Sequence, residues 1–446
     1  MRDFLPEDIR RRQHVIGAIE SVYRRYGFEP LETPAVENIG TLLGKYGEEG
    51  NQLIFKILKR GEHEASGQAD LALRYDLTVP LARVVAEHRA RLPRFFKRYQ
   101  IQPVWRADRP ARGRFREFYQ CDVDVVGSTS PLVEAEVCGA AAEALRTLGF
   151  AEFTVRINDR RLLAGLLDVA GVPGTLHGDA LVALDKLDKI GREGVGREFA
   201  SRDIPPAAGE RVLDFFTGIA GLAEVHRDDP GRHNAEVIAR LGALVTGHGP
   251  ATHGLTGLAD ILALSGATAA AGRLRVDPSL ARGLSYYTGA IMEIAVPDLA
   301  GSLGGGGRYD NLVGMFLGHD VPAVGFSLGL ERIIVVMGER GMFPASLAGA
   351  GADVMVTLWN AAGAAGALSL ARDLRAAGLR VDVYPEADKL GRQFKYAASV
   401  GVPLVAVMGE DEAAAGTVTV KDLRTGEQVT LARAEVAGYA SQRLGG

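Results

Sequence analysis

The chain has 446 residues, 47% apolar and 24% charged, with a formal charge of −4. That is enough for about three domains of ordinary globular composition and excludes a disordered or fibrous protein. Two cysteines, Cys121 and Cys138, are too few for a zinc ribbon or a disulfide framework and suit a reducing cytoplasm. The first seven residues carry acids and a proline where a signal peptide would be apolar, and no uninterrupted apolar stretch of about 18 residues occurs, so neither secretion nor a membrane span is expected.

Taken in order, residues 7–26 place Val15, Ile19, Val22 and Tyr23 at helical spacing, and Gly27 closes the segment, which predicts an amphipathic helix. Residues 28–36 alternate and contain Pro30 and Pro34, the pattern of an extended edge segment. Residues 94–127 are aromatic, β-branched and alternating apart from a break at 107–113, which reads as strand, basic loop, strand. A helix is expected over 132–148, a strand over 152–158, and an inserted helical subdomain over 171–266. Strand patterns return at 286–296 and 323–326, with four glycines at 304–307 between them and a helix at 328–337 after them. An Ala/Gly-rich linker near 345–353 leads to short apolar runs at 354–359, 381–384 and 402–408. Helical patterns at 363–378 and 388–400 separate these runs, as in βαβ units on a parallel or mixed sheet.

Residues 89–116 hold ten Arg and Lys against one acid, Asp108, a local charge of +9 in 28 residues that makes a polyanion a candidate partner. Arg106, Arg109, Arg112, Arg114 and Arg116 crowd the loop, and guanidinium groups bind phosphate oxygens bidentately; a solvated basic rim is the alternative. On the second hairpin strand, Gln120, Asp122 and Asp124 share one face while Cys121, Val123 and Val125 share the other. That acidic face is either part of a site for a cationic group or a sheet surface paired with Arg98 or Arg116. Asp76 and Thr78, two apart, could receive an ammonium group. The glycines at 304–307 form no dinucleotide fingerprint, and no GxxxxGK[ST] occurs. They indicate either close backbone approach or a flexible turn. The nine histidines show no HExxH or paired spacing, which argues against zinc, and no GxSxG elbow or reactive-cysteine context supports a covalent nucleophile.

These stretches resemble the histidyl-tRNA synthetase family of class II aminoacyl-tRNA synthetases over nearly the whole chain. The first helix with GFEPLETPAVE resembles motif 1 and ends in Pro34. FKRYQIQPVWRADRPARGRFREFYQCDVDVVG resembles motif 2, and VGFSLGLERI resembles motif 3 with its arginine at Arg332. More specific are ARGLSYYTG at 281–289 and GGGGRYDNLVG at 304–314, which resemble the two histidine signatures. The first departs from the pattern at Ser285, where many members carry an acid.

The resemblance implies an α+β fold: a class II antiparallel sheet flanked by helices, with a helical insertion and a C-terminal α/β anticodon-binding domain. Its parts would be residues 1–170 and 267–345 (catalytic), 171–266 (insertion) and 352–446 (anticodon binding). It further implies that Arg106 and Arg282 are catalytic, that Arg106 and Arg332 bind ATP, and that Asp76, Thr78, Gln120, Asp124, Tyr286 and Tyr287 bind histidine or its adenylate. Gly306, Gly307, Arg308 and Tyr309 would form the second signature. ATP with Mg²⁺, histidine and histidine tRNA are the implied partners of a cytoplasmic homodimer with no membrane partner.

The implied reaction is ATP-dependent histidine activation followed by transfer to tRNA. A non-catalytic relative acting as a histidine-sensing regulatory subunit is the alternative from another class, and a synthetase for a different amino acid is the third. Arg106, Arg282 and the C-terminal domain favour the ligase.

Overall fold

In the computed structural model, the described residues are 1–61, 66–184, 186–281, 286–299, 301–344, 347 and 351–445. They fall into two compact units, Met1–Met342 and Phe343–Gly446.

The first unit is organised by an eight-stranded sheet. Its strands, in spatial order, are Glu29–Pro30, Phe96–Trp105, Glu117–Val126, Ala323–Gly329, Ser302–Arg308, Ala290–Ala295, Thr154–Asp159 and Leu274–Val276. All interior pairs are antiparallel, and only the two edge strands run parallel to their neighbours. In spatial order three strands from before residue 127 are followed by three from after residue 289, and Thr154–Asp159 lies between that group and the last strand, Leu274–Val276, so the sheet is completed only when the chain returns from its helical excursion.

The first helix spans Pro6–Arg25 and buries Val15, Ile19, Val22 and Tyr23, the stripe expected from their spacing. The edge segment after it pairs Glu29 and Pro30 with Arg98 and Tyr99, and a proline is tolerated there because an edge strand has one side without a ladder. The helix Pro131–Thr147 is capped by Ser130, whose side chain accepts from Leu132 N. A small antiparallel sheet of Val36–Asn38, Ala69–Leu73 and Lys56–Leu58 lies elsewhere in the same unit.

Between residues 160 and 265 the chain is helical: Arg160–Ala170, His177–Leu184, Leu187–Ser201, Pro206–Val225, Pro230–Leu244 and Gly249–Ser265. These helices are not set apart from the sheet. Leu163, Leu167, Ala183, Phe199, Val212 and Phe216 share one apolar cluster with Leu280, Ala281 and the strand residue Ile291.

The four glycines at 304–307 lie inside the strand Ser302–Arg308 rather than in a turn. A Cβ on Gly306 would stand 2.1 Å from the Gly325 carbonyl oxygen, and one on Gly307 would stand 2.7 Å from that of Ala290. The strand is therefore glycine-rich because its neighbours approach too closely for side chains. Cys121 and Cys138 are free and buried.

The second unit carries a mixed five-stranded sheet in the order Val381–Val383, Val354–Val356, Leu404–Val407, Thr417–Asp422, Gln428–Ala432, with the first three strands parallel. The helices Ala364–Ala376 and Leu390–Ser399 supply the crossovers that parallel strands require. Among the described residues no helix is long and apolar enough to cross a membrane.

Candidate active site

One cleft of about 340 Å³ opens on the central strands of the first unit. Its floor is the second hairpin strand, Glu117–Val126, whose alternation sends Cys121, Val123 and Val125 into the core and leaves Phe118, Gln120, Asp122 and Asp124 on the cleft side. Ala323–Gly329 and Ser302–Arg308 continue the floor with Gly325, Ser327, Gly304, Gly305 and Gly306.

The cationic end is built around Arg106, just beyond the first hairpin strand. Its Nε donates to the Tyr75 carbonyl oxygen at 3.1 Å, and its guanidinium carbon lies 4.3 Å from the Tyr75 ring centroid and 5.2 Å from that of Phe118. Arg332, in the first turn of the helix Leu330–Glu339, lines the same cleft and donates from Nη1 to the Ser302 carbonyl oxygen at 2.6 Å. Arg114 adds a third cation. Gly113, at φ +67°, is needed here: a Cβ would stand 3.1 Å from Arg332 Cγ on backbone that L residues rarely adopt.

The acidic end begins at Gln120 and extends along the strand for roughly 13 Å to Asp124 at about 3.3 Å per residue. Gln120 donates from Nε2 to Ser327 Oγ at 3.0 Å, and its buried Oε1 accepts from no described group. Asp122 Oδ1 is likewise buried without a partner. Arg98, fully buried on the neighbouring strand directly opposite Asp124, lies 2.8 Å from Asp124 Oδ2 and 3.8 Å from Asp122 Oδ2. Tyr309 donates to Asp124 Oδ1. Burial pushes the Asp122 carboxyl up to about 7, with Asp124 adding to the shift and Arg98 opposing it. Asp124 is raised by burial too, against the pull of Arg98 and the Tyr309 hydrogen bond. The wall thus holds two costly carboxyls and one orphaned amide oxygen, groups that an arriving cation satisfies.

Tyr286 and Tyr287 line the side of this end, their ring centroids 5.1 Å apart, with Tyr309 6.0 Å from Tyr286. Tyr286 OH donates to Asp76 Oδ2 at 3.0 Å, while Asp76 Oδ1 accepts from Tyr46 OH at 2.9 Å and from Val79 N at 3.0 Å. Asp76 is 1% exposed and lies behind Tyr286 rather than on the cleft wall, whereas Thr78 is on it. Burial raises the Asp76 carboxyl despite those hydrogen bonds.

The residues singled out from sequence therefore separate. Arg106, Thr78, Gln120, Asp124, Tyr286, Tyr287, Gly306, Tyr309 and Arg332 line one cleft. Gly307 packs against Tyr287 and the Ala290 backbone. Arg308 is turned away into a buried network, donating to Glu134 Oε1 at 2.6 Å, the Ser128 carbonyl oxygen at 2.9 Å and Asp310 Oδ1 at 3.1 Å. Arg282 and Ser285 lie outside the described residues. Asp122, Ser327 and Glu331 also line the cleft without having been assigned a role in binding. The two-residue alternation from Gln120 to Asp124 already pointed to Asp122. Nothing local marks Glu331, whose partner Arg12 is 319 residues away.

A cleft with cations at one end, unsatisfied acceptors at the other and a glycine floor can hold a polyanion next to a small cationic molecule. Comparison with known proteins agrees. The family model for histidyl-tRNA synthetase matches residues 1–333. The chain belongs to that family. The model for the anticodon-binding domain matches residues 353–443. The histidine–tRNA ligase of Christiangramia forsetii is 40% identical, covering 96% of this chain and 95% of the relative. That of Gloeobacter violaceus is 41% identical, covering 99% and 97%. The crystal structure of histidyl-tRNA synthetase from a Nostoc species superposes with a TM-score of 0.75 at 31% identity, covering 99% of this chain and 97% of that one. The antiparallel sheet flanked by helices and the C-terminal α/β unit are the architecture expected of class II histidyl-tRNA synthetases.

Proposed function

We propose that this protein is a histidine–tRNA ligase. It joins ATP and L-histidine to form histidyl-adenylate with release of pyrophosphate, then transfers the histidyl group to the 3′-terminal adenosine of histidine tRNA. The observation that carries this reading is the single cleft shared by Arg106, Arg332, Gln120, Asp122, Asp124 and Tyr286.

In the first step the amino-acid carboxylate attacks the α-phosphorus in line and pyrophosphate departs. Such a step needs no protein nucleophile, only placement and positive charge where negative charge develops. Arg106 is oriented by Tyr75 and by stacking, so its fork is preorganised for α-phosphate oxygens, with Arg282 in the same task. Arg332 and Arg114 meet the rest of the nucleotide. The histidine ammonium is received by Gln120 Oε1 and the carboxylates of Asp122 and Asp124, with Thr78 and the Asp76–Tyr286 pair closing that side. Tyr286 and Tyr287 frame the imidazole.

Mg²⁺ enters as part of the magnesium–ATP substrate. Its ligands are phosphate oxygens and water, the coordination this small, hard ion favours. The match to an anticodon-binding domain supports tRNA as the second substrate. We extend the reading to a homodimer acting in the cytoplasm, the dimer seam lying on the motif 1 edge segment.

Pyrophosphate exchange tests the proposal. ATP–pyrophosphate exchange measured with each of the twenty amino acids should appear with histidine alone. Binding of histidine without exchange would point instead to a regulatory relative, and exchange with another amino acid would reassign the pocket.

A further inference from the structure

Arg12, on the helix Pro6–Arg25, is only 6% exposed, although a helix surface offers a guanidinium easy access to water. Its Nη1 donates to Glu331 Oε1 at 2.8 Å. Its guanidinium carbon lies 4.1 Å from the Phe4 ring centroid and 4.7 Å from that of Tyr119. Glu331 Oε2 accepts from the Tyr119 backbone N at 3.0 Å, so both carboxylate oxygens are committed. Glu331 is 3% exposed, yet it lines the cleft and immediately precedes Arg332.

A carboxylate at this place is awkward for a site that binds a polyanion. Left unpaired in a poorly hydrated wall, it repels phosphate and is free to compete for Arg332, the next residue along the chain, whose attraction for the nucleotide would then be partly spent inside the protein. Burial raises the Glu331 carboxyl; Arg12 is the largest influence holding it down, and the backbone N–H groups of Tyr119 and Glu331 hold it down as well, so the charged form keeps support when Arg12 is removed.

We propose that Arg12 is a positioning residue for nucleotide binding: it neutralises Glu331 from the first helix, so that the Glu331 charge neither draws on Arg332 nor opposes the phosphates. This rests on the reading of Arg332 as a nucleotide contact. It places a residue of the first helix, outside the cleft, in control of the affinity for ATP and not of the affinity for histidine. A residue that only braced the helix against the strand would act on both.

Pyrophosphate-exchange kinetics on the full chain test it. Arg12→Met keeps the aliphatic stem and removes the charge; it should raise the KM for ATP about tenfold and leave the KM for histidine within about twofold. Adding Glu331→Gln to Arg12→Met removes the stranded charge and should bring the KM for ATP back to within about threefold of wild type. Arg12→Lys, which keeps a cation beside Glu331, should stay within about threefold on its own. If Arg12→Met loses its cooperative thermal transition, Arg12→Gln replaces it and the same comparisons apply.

The inference is overturned by an unchanged KM for ATP in Arg12→Met, by parallel rises in both KM values, or by failure of the second substitution to recover ATP binding. Arg332→Ala is the control on the underlying reading. If it leaves the KM for ATP unchanged, the role of Arg332 fails; if it raises that KM while Arg12→Met does not, only the role of Arg12 fails.

Discussion

Gly325 stands opposite Asp124 in the pairing of two central strands, and a Cβ on it would lie 1.9 Å from Asp124 Oδ1. That carboxylate cannot swing aside, because Tyr309 holds one oxygen and Arg98 the other. Alanine suits extended backbone, so the cost of Gly325→Ala comes mainly from displacing the carboxylate, with the Val123 carbonyl oxygen 3.1 Å from the added Cβ as a second close contact, on the order of 1–3 kcal/mol in all as in other overpacked sites. We expect the KM for histidine to rise at least tenfold and the melting midpoint to fall. A variant with wild-type histidine affinity would contradict the placement of Asp124 in the binding wall.

Asp122 makes stability depend on pH in a defined direction. Its carboxyl is raised from 3.8 to about 7 in the folded chain, first by burial. The folded protein therefore keeps a proton that the unfolded chain has shed. The stabilisation is complete below about pH 4 and is lost as pH rises through about 7. Asp122→Asn lacks this dependence. The melting midpoint of wild type minus that of Asp122→Asn, followed from pH 5 to 8, should decline steadily; a constant difference would mean that Asp122 is ionised throughout.

Arg106 should be intolerant of a point charge in place of its fork. Arg106→Ala should lower kcat/KM for exchange about a hundredfold or more, the scale set by losing one preorganised donor at developing charge. Arg106→Lys should recover only a small part of this, because an ammonium cannot stack on Tyr75 and bind phosphate bidentately at once. Steady-state exchange kinetics decide it, and full activity in the lysine variant would argue for simple charge.

Arg308 and Glu134 predict a different signature, in stability. Both are buried and share a 2.6 Å hydrogen bond. Arg308→Met strands a buried carboxylate and should cost about 3–5 kcal/mol, while Arg308→Met with Glu134→Leu should recover most of that loss. Chemical denaturation of the three proteins measures it. A double variant as unstable as the single one would show that the pair contributes beyond its own charge balance.

Much of this organisation was legible in the sequence wherever a residue's role depends on its near neighbours. The first helix showed through Val15, Ile19, Val22 and Tyr23, because one stripe faces the core. The cleft floor showed through the alternation from Gln120 to Asp124, because a strand sends successive side chains to opposite faces. Other roles depend on residues far away in the chain. Whether four glycines make a turn or a strand is decided by the carbonyls of Gly325 and Ala290. Arg308 and Arg332 look alike as arginines within signatures, yet one is captured by Glu134 and the other opens on the cleft. Asp76 does not line the cleft, and its carboxylate is engaged by the hydroxyl of Tyr286, a residue 210 positions later. The partnership of Arg12 with Glu331 carries no local mark at all.

The two thiols have a practical corollary. Cys121 and Cys138 are fully buried, and burial pushes the Cys138 thiol up to about 12 and Cys121 well above its ordinary value, so neither supplies thiolate to a reagent at neutral pH. While folded, the protein should behave towards maleimides as though it had no cysteine. One new cysteine on an exposed helix would then accept a fluorophore at a single known position, with both native residues left in place, and the same reagent would read out global unfolding when the buried pair becomes reactive.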